Sequence, residues 1–557
     1  MKSKLFAVLI LICVSGVASG AKKSPPPPQV LSATHGYVRA SIPQWELAAD
    51  LRLVTLRREP RGKYVKLESR HGARSWEAWV PAGTYVLAAD VNGYENLKRA
   101  ALDDAGKPFA PVIVRAGEMI DLGVLFRVPV GDYEYQLVPT EDTSVADESA
   151  QAFGRVADVL KSREVIRWRP VNLPQLAQFA ERQSTIGLVE GVFQSVERDK
   201  QVKEASASLR RLRVPDEFLA FAKALTPPTS DEPAVDADGS LYYGADLGQI
   251  RVRDAGGKWG YRDTGTGVEV TAVEFHAGHL VAGNLRGQLL ISEDGGKSWQ
   301  GVRSLDPAEV VVDIDRAGSH WVVLTALFED QPAAYYLGSL EYPPGEPKAW
   351  ALKPTVRVYL AARDDLSDID LFREFQVKRY ELVLGHRPGT PDGVGGFALG
   401  DDYLVHTYTG IYRLTPSGRQ WAEVQIPTPL STLVRASADG EYLSVVSPYK
   451  GMRHDYSTDG GKTWTRHVRP VGWTYDIVLT SDHQGRSTKT TLGRFTRTIE
   501  FYELNADGDD WQKVGEAPAE CVRMLRDAAF DQRYCVSRHG SILSLVSGTW
   551  KIEFAAR

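Results

Sequence analysis

Ser292-Glu-Asp294-Gly-Gly296-Lys-Ser-Trp299 and Ser457-Thr-Asp459-Gly-Gly461-Lys-Thr-Trp464 repeat one pattern, Ser-x-Asp-x-Gly-x-x-Trp, in two distant parts of the chain. The residue types suit a tight turn between strands. Short Asp and Ser side chains can bond the backbone of their own turn, Gly tolerates positive φ, and Trp packs against a sheet edge. Weaker copies surround the two full ones. Val252-Arg-Asp254-Ala-Gly256-Gly-Lys-Trp259 keeps the acid, a glycine and the tryptophan but carries Val in the serine place. The stretches from Leu414 to Trp421 and from Leu504 to Trp511 keep Gly418 with Trp421 and Gly508 with Trp511. Gly548-Thr-Trp550 and the segment ending at Trp350 are more eroded.

A longer match extends the repeat. Leu241-Tyr-Tyr-Gly244-Ala-Asp-Leu-Gly248-Gln-Ile parallels Leu280-Val-Ala-Gly283-Asn-Leu-Arg-Gly287-Gln-Leu, and both precede their turn at nearly the same spacing. Thr271–Phe275, His279–Ala282, Gln288–Ile291 and Trp299–Val302 then form four short strands, which is one propeller blade. Trp259, Trp299, Trp350, Trp421, Trp464, Trp511 and Trp550 mark seven blade ends within residues 236–557, at about the 40–50 residues a blade needs. The interval from Trp350 to Trp421 is the longest, and an eighth blade or an insertion around Asp364 to Gly396 stays open. The motif resembles the Asp-box, or BNR repeat, of sialidases, sortilin-type receptors and Ycf48-like photosystem assembly factors. That resemblance implies that Ser292, Asp294, Gly296, Trp299, Ser457, Asp459, Gly461, Trp464, Asp254 and Trp259 are scaffold residues on the outer rim, away from the central channel.

The region before the propeller divides in two. Residues 36–130 carry strand-like runs such as Gly36–Ile42, Leu51–Leu56 and Thr84–Val91, broken by Pro and Gly turns. Trp79-Val-Pro-Ala-Gly-Thr-Tyr85 and the run from Val112 to Val124 resemble carboxypeptidase-regulatory-like sandwich domains, which implies a small non-catalytic β-sandwich. Residues 143–228 change to a helical period, with Val145, Ala152, Phe153, Val156, Val159 and Leu160 near one face and Ser144 as N-cap. Further helical patterns run through Pro174–Ala180, Ile186–Arg213 and Phe218–Leu225. A turn-rich Thr226-Pro-Pro-Thr-Ser-Asp-Glu-Pro stretch closes this connector. The expected architecture is mainly β: sandwich, helical connector, then a seven-bladed propeller.

The first residues, Met1-Lys-Ser-Lys4, lead into the apolar Leu5–Val17 and the small residues Ala18-Ser-Gly-Ala21. That order reads as a signal peptide over 1–21, followed by a Pro-rich linker over 22–35. The apolar run is short for the ~20 residues a bilayer span needs, so the mature chain is expected outside the cytoplasm, in a Gram-negative periplasm or beyond, and as a monomer. A net charge of −5 gives no basic footprint for nucleic acid. Cys521 and Cys535 either form a bridge, suited to an oxidising compartment, or remain two buried thiols.

Candidate chemistry is sparse. Phe126-Arg127-Val128-Pro129 matches the sialidase arginine motif but falls at the end of the sandwich, where it reads as a strand. Tyr380-Glu381, Arg435, Arg453 and Arg494 are available, yet no motif selects them. The acidic runs Asp364–Asp370 and Asn505–Asp510 read as solvated turns rather than calcium loops, and His454-Asp455-Tyr456 as packing. No zinc spacing, phosphate loop or nucleophile elbow occurs. The expectation is no catalytic, cofactor or metal residue, and a non-catalytic protein that binds a protein or carbohydrate through its propeller face. The competing class is a sialidase-like glycoside hydrolase.

Overall fold

A computed structural model describes residues within 31–168 and 219–554, apart from shorter stretches of which 92–110, 141–152, 328–354 and 378–393 are the longest. Seven four-stranded antiparallel meanders follow one another from Ala234 to Phe554. They are blades 1 (234–263), 2 (270–304), 3 (309–376), 4 (395–424), 5 (433–467), 6 (474–516) and 7 (521–554). Blade 2 shows why the sequence folds this way. Its strands Val270–His276, His279–Asn284, Gln288–Ser292 and Gln300–Ser304 lie on the four expected runs. Its second strand is buried along nearly its whole length, whereas the fourth is mostly exposed. Burial on both faces is what a strand sandwiched between neighbouring blades requires.

A separate hydrophobic cluster fills each blade interface around the ring. Tyr242, Val270 and Leu280 belong to the one between blades 1 and 2, Val281 and Val323 to the next, and Val356 and Tyr403 to that between blades 3 and 4. Leu404 with Val445, Val446 with Ile477, and Ile499 with Leu543 continue the series. Tyr243, Trp259, Tyr534 and Ile542 then join blade 1 to blade 7 and close the circle.

Among the described residues no strand is exchanged at that closure, since blade 1 uses only early strands and blade 7 only late ones. Side chains do the work instead. Glu553 accepts from Arg253 Nε at 3.0 Å, Arg253 Nη2 at 3.2 Å and Trp259 Nε1 at 2.8 Å. The segment before blade 1 adds a strap: Arg251 donates to the Thr226 carbonyl at 2.6 Å, and Arg523 of blade 7 donates to the Thr229 carbonyl at 2.6 Å.

One detail departs from the sequence expectation. Trp350 does not end a blade. Blade 3 completes itself with Thr355–Ala361 and Asp370–Gln376, and its fourth strand contains no tryptophan. The long interval therefore holds the outer half of blade 3 and the passage to blade 4, not an eighth blade. Trp350 itself lies outside the described residues, between the second and third strands.

The N-terminal region forms two sheets, one of six strands including His35–Ser41, Ser75–Pro81 and Met119–Pro129, and one of four including Ala49–Thr55 and Gly83–Val91. Within the stretch read as helical, Phe153, Val156, Val159 and Leu160 pack on Tyr37 and Met119 of the larger sheet, and Val165–Arg167 adds a parallel strand beside Met119–Pro129. Helical residues also occur at 222–224, while the patterns at 174–180 and 186–213 lie outside the described residues. The expected signal peptide, 1–21, lies outside them too. Among the described residues, no helix is long and apolar enough to cross a membrane.

Candidate functional site in the central channel

The two full motifs form the same structure. Each links the third and fourth strands of its blade, at the outer side of blades 2 and 5. Ser292 Oγ donates to Asp294 at 2.8 Å and accepts from Gly296 N at 2.7 Å; Ser457 repeats both contacts with Asp459 and Gly461 at the same distances. Asp294 accepts from the Lys297 and Ser298 amides, and Asp459 from those of Lys462 and Thr463. Hydrogen bonds from Ser298 and Thr463 lead the causes that hold both carboxyls well below the usual carboxylate range. Gly296 and Gly461 both have positive φ, 83° and 86°. The tryptophans diverge: Trp299 donates to Gly296 O, and Trp464 to Gln425 O, just past the last strand of blade 4. Asp254 keeps a reduced version, accepting from Lys258 N at 2.7 Å, while Trp259 belongs to the ring closure. These carboxylates are consumed by their own turns.

The other sequence candidates also resolve into local structure. Arg127 pairs with Leu137 inside the N-terminal six-stranded sheet, far along the chain from any blade. Asp365 caps a short 3-10 turn at Leu366–Asp368. Asn505 Oδ1 accepts from the amides of Asp509 and Asp510, closing a hairpin turn of blade 6. Arg453 is held by Asp455 at 2.5 and 2.8 Å. His454 is fully buried against Ser444 and His467, and burial lowers its pKa to about 3, which keeps it neutral. Tyr380, Glu381 and Arg494 lie outside the described residues. Cys521 and Cys535 are bonded, joining the first two strands of blade 7.

The charges that converge do so on the first strands of the blades, which surround the channel. On one side, Asp313 and Asp315 sit two residues apart on the first strand of blade 3 and therefore share a face. Asp313 accepts from Tyr403 Oη of blade 4 at 2.5 Å, and Asp315 from the Ala398 amide at 2.5 Å. Glu274, on the first strand of blade 2, is their electrostatic neighbour. Burial, then mutual repulsion, pushes Asp313 and Glu274 well above the carboxylate range. Burial likewise raises Asp315 to about 6, against the amide hydrogen bonds of Ala398 and Arg316.

On the other side stand Arg435 of blade 5, Asp476 of blade 6 and Arg526 of blade 7. Arg526 donates to Asp476, and Arg435 Nε lies 3.4 Å from the same oxygen. Glu232, just before blade 1, completes the group at 3.7 Å from Arg526 and 3.9 Å from Arg435. Its charge also reaches Asp313 and Asp315. Residues from before blade 1 and from blades 2, 3, 5, 6 and 7 thus meet around one axis. His406 of blade 4, buried beside Arg435, has its pKa lowered to about 3, first by burial and then by that guanidinium.

This arrangement can bind charge, and it does not resemble a metal centre: among the described residues, no group of three His, Cys, Asp or Glu side chains is placed to hold an ion. Of its members, sequence reasoning had named only Arg435. The available signal was the pair Asp313 and Asp315, two residues apart directly after the apolar run Val310-Val-Val312 of that first strand. Glu232, Asp476 and Arg526 come together only through ring closure.

No model of a known protein family matches the chain, and no curated protein matches it. Solved structures are similar to part of the chain. An oligogalacturonate lyase from Vibrio parahaemolyticus shares 10% identity at a TM-score of 0.37, covering 59% of this chain and 89% of its own. YCF48 bound to D1 peptide shares 14% at 0.35, covering 52% and 83%. YCF48 from Cyanidioschyzon merolae shares 10% at 0.35, covering 59% and 92%. These are likenesses of fold.

Proposed function

We propose that the chain is an exported, non-catalytic binding protein that holds a protein or glycan partner on the channel face of its propeller. The observation that carries this is the convergence of Glu232, Glu274, Asp313, Asp315, Arg435 and Arg526 on the channel. Half-buried carboxylates with raised pKa values cost folding energy at neutral pH, and such groups concentrate where function requires them. The disulfide Cys521–Cys535 suits an exported chain, as does the basic, apolar, small-residue order of residues 1–21. We assign the Ser-x-Asp-x-Gly-x-x-Trp turns a scaffold role as Asp-boxes, because their polar groups are spent on their own backbone.

A sialidase-like activity is the weaker reading, since Arg127 sits on a strand of the N-terminal sheet and Arg435 and Arg526 are already balanced by Asp476 and Glu232. The test is the double variant Asp313→Asn/Asp315→Asn. It should remain folded and lose a partner that the unaltered protein is expected to retain from its native extract, and neither protein should cleave a glycoside panel. Full partner retention by the variant, or sugar release by the unaltered protein, would contradict the assignment.

A further inference from the structure

The inner strand of blade 1 differs from those of the other six. Ala234–Val235 is two residues long, whereas the other first strands run from four residues, Leu433–Ala436, to nine, Glu309–Ala317. Pairing with the second strand reappears upstream at the bridge between Pro228 and Ala245, while Ala234 stands opposite Tyr242. Residues 229–233 therefore lie opposite Tyr243 and Gly244 alone, and the surplus leaves the sheet as a large bulge. Pro228 and Pro233 bound it, and neither has an N–H to give to the ladder. First strands surround the channel, so the bulge enters it. Its tip, Glu232, meets Arg526 of blade 7 and Arg435 of blade 5. In a ring of seven, blade 5 stands across the channel from blade 1.

The two ends of the bulge are held differently. At the base, Thr229 N donates to Gly244 O at 2.6 Å, Ser230 Oγ accepts from Gly244 N at 2.8 Å, and Arg523 of blade 7 donates to the Pro228 and Thr229 carbonyls at 3.0 and 2.6 Å. At the tip, Glu232 lies 3.7 Å from Arg526 and 3.9 Å from Arg435, beyond the ~2.8 Å of a charge-assisted hydrogen bond. Its side chain is 44% exposed, and ion pairs of that kind hold weakly and yield to salt. We propose that segment 229–233 is a plug built into the propeller, fixed at its base to blades 1 and 7, with a tip that rests against blade 5 and is released by ionic competition. At rest it divides the channel. Glu274, Asp313 and Asp315, on blades 2 and 3, lie to one side of the line from blade 1 to blade 5, and Asp476 and Arg526, on blades 6 and 7, lie to the other. Release of the tip joins the two sides without moving a blade, because no bond at the base involves Glu232. The plug governs access to the channel whichever partner the channel takes.

The experiment uses full-length Arg435→Lys, which keeps the charge and supplies an amine, with a water-soluble carbodiimide, which joins an amine to a carboxylate in contact with it. Two carboxylates stand near position 435: Glu232 on the tip, and the buried Asp476, 3.4 Å from Arg435 in the unaltered protein. Mass spectrometry of the cleaved protein should find the 232–435 amide at low salt. Its yield should fall about fivefold or more at about 1 M salt, where charges are screened beyond ~3 Å, with circular dichroism unchanged. Glu232→Gln in the same background should abolish that product. Formation of the 435–476 amide alone would overturn the proposal, because blade 5 would be in place and the tip elsewhere. A 232–435 amide indifferent to salt would overturn it as well, by showing a fixed brace. A second measurement uses the unaltered protein: hydrogen exchange over 230–235 should quicken at high salt while that of Leu241–Gly244 holds constant, and equal exchange of 230–235 at both salts would contradict a releasable tip. Neither result bears on Asp313→Asn/Asp315→Asn, so the plug and the channel face as binding surface stand or fall separately.

Discussion

Asp315 shows how a single residue can work against the fold that holds it. Its carboxyl is raised to about 6 from an ordinary value near 3.8, with burial the leading cause. For an acid shifted in this direction, the folded state favours the protonated form. The associated stability is present below pH ~4 and is lost as pH rises through about 6. Asp315→Asn keeps an acceptor for the Ala398 amide and removes the charge. It should stabilise the protein by about 1–3 kcal/mol above pH 6, with the gain shrinking toward pH 4. His406 and His454 act in the opposite sense: their depressed values give stability that is full above about 6.5 and falls as pH drops toward about 3. Denaturant titrations between pH 4 and 8 would show both trends, and an Asp315→Asn gain independent of pH would refute the charge-based explanation.

At the scale of the element, the blade was legible because its repeat is dictated by sterics. Gly244 and Gly283 occupy equivalent places in the second strands of blades 1 and 2. A Cβ on Gly244 would stand 2.3 Å from Val270 O, and one on Gly283 2.3 Å from Val311 Cγ1, each on the first strand of the following blade. Glycine at this point lets neighbouring blades approach. Gly283→Ala should cost about 1–3 kcal/mol through overpacking, measured by chemical denaturation, and an unchanged midpoint would show that the interface relaxes freely. The turns Gly248 and Gly287, with φ of 71° and 65°, repeat for the same local reason. Blade 3 was misread where this local logic stops. An insertion between its second and third strands moved the tryptophan signal away from the fourth strand, which the sequence pattern does not mark.

At the scale of the molecule, the ring closes through side chains, and their partners lie at opposite ends of the propeller sequence. Burial of Glu553 works against its ionisation, but the hydrogen bonds from Arg253 and Trp259 prevail and hold its carboxyl below the ordinary value. Glu553→Gln should lower stability by about 1–2 kcal/mol, and a Tm equal to that of the unaltered protein would show the seam to be carried by the Tyr243, Trp259 and Tyr534 cluster alone. The same long-range closure explains why the channel was not legible: Glu232 and Arg526 are far apart in sequence and become neighbours only in the finished ring. The recognisable motifs mark the rim, while the converging charges are scattered over six elements with no shared spacing. Photo-crosslinking in the native host tests most directly whether those charges form the binding face. A crosslinking residue in place of Glu232 should trap a partner, whereas one in place of Lys297 on the outer turn of blade 2 should not. Trapping from the rim position with none from the channel would contradict the account.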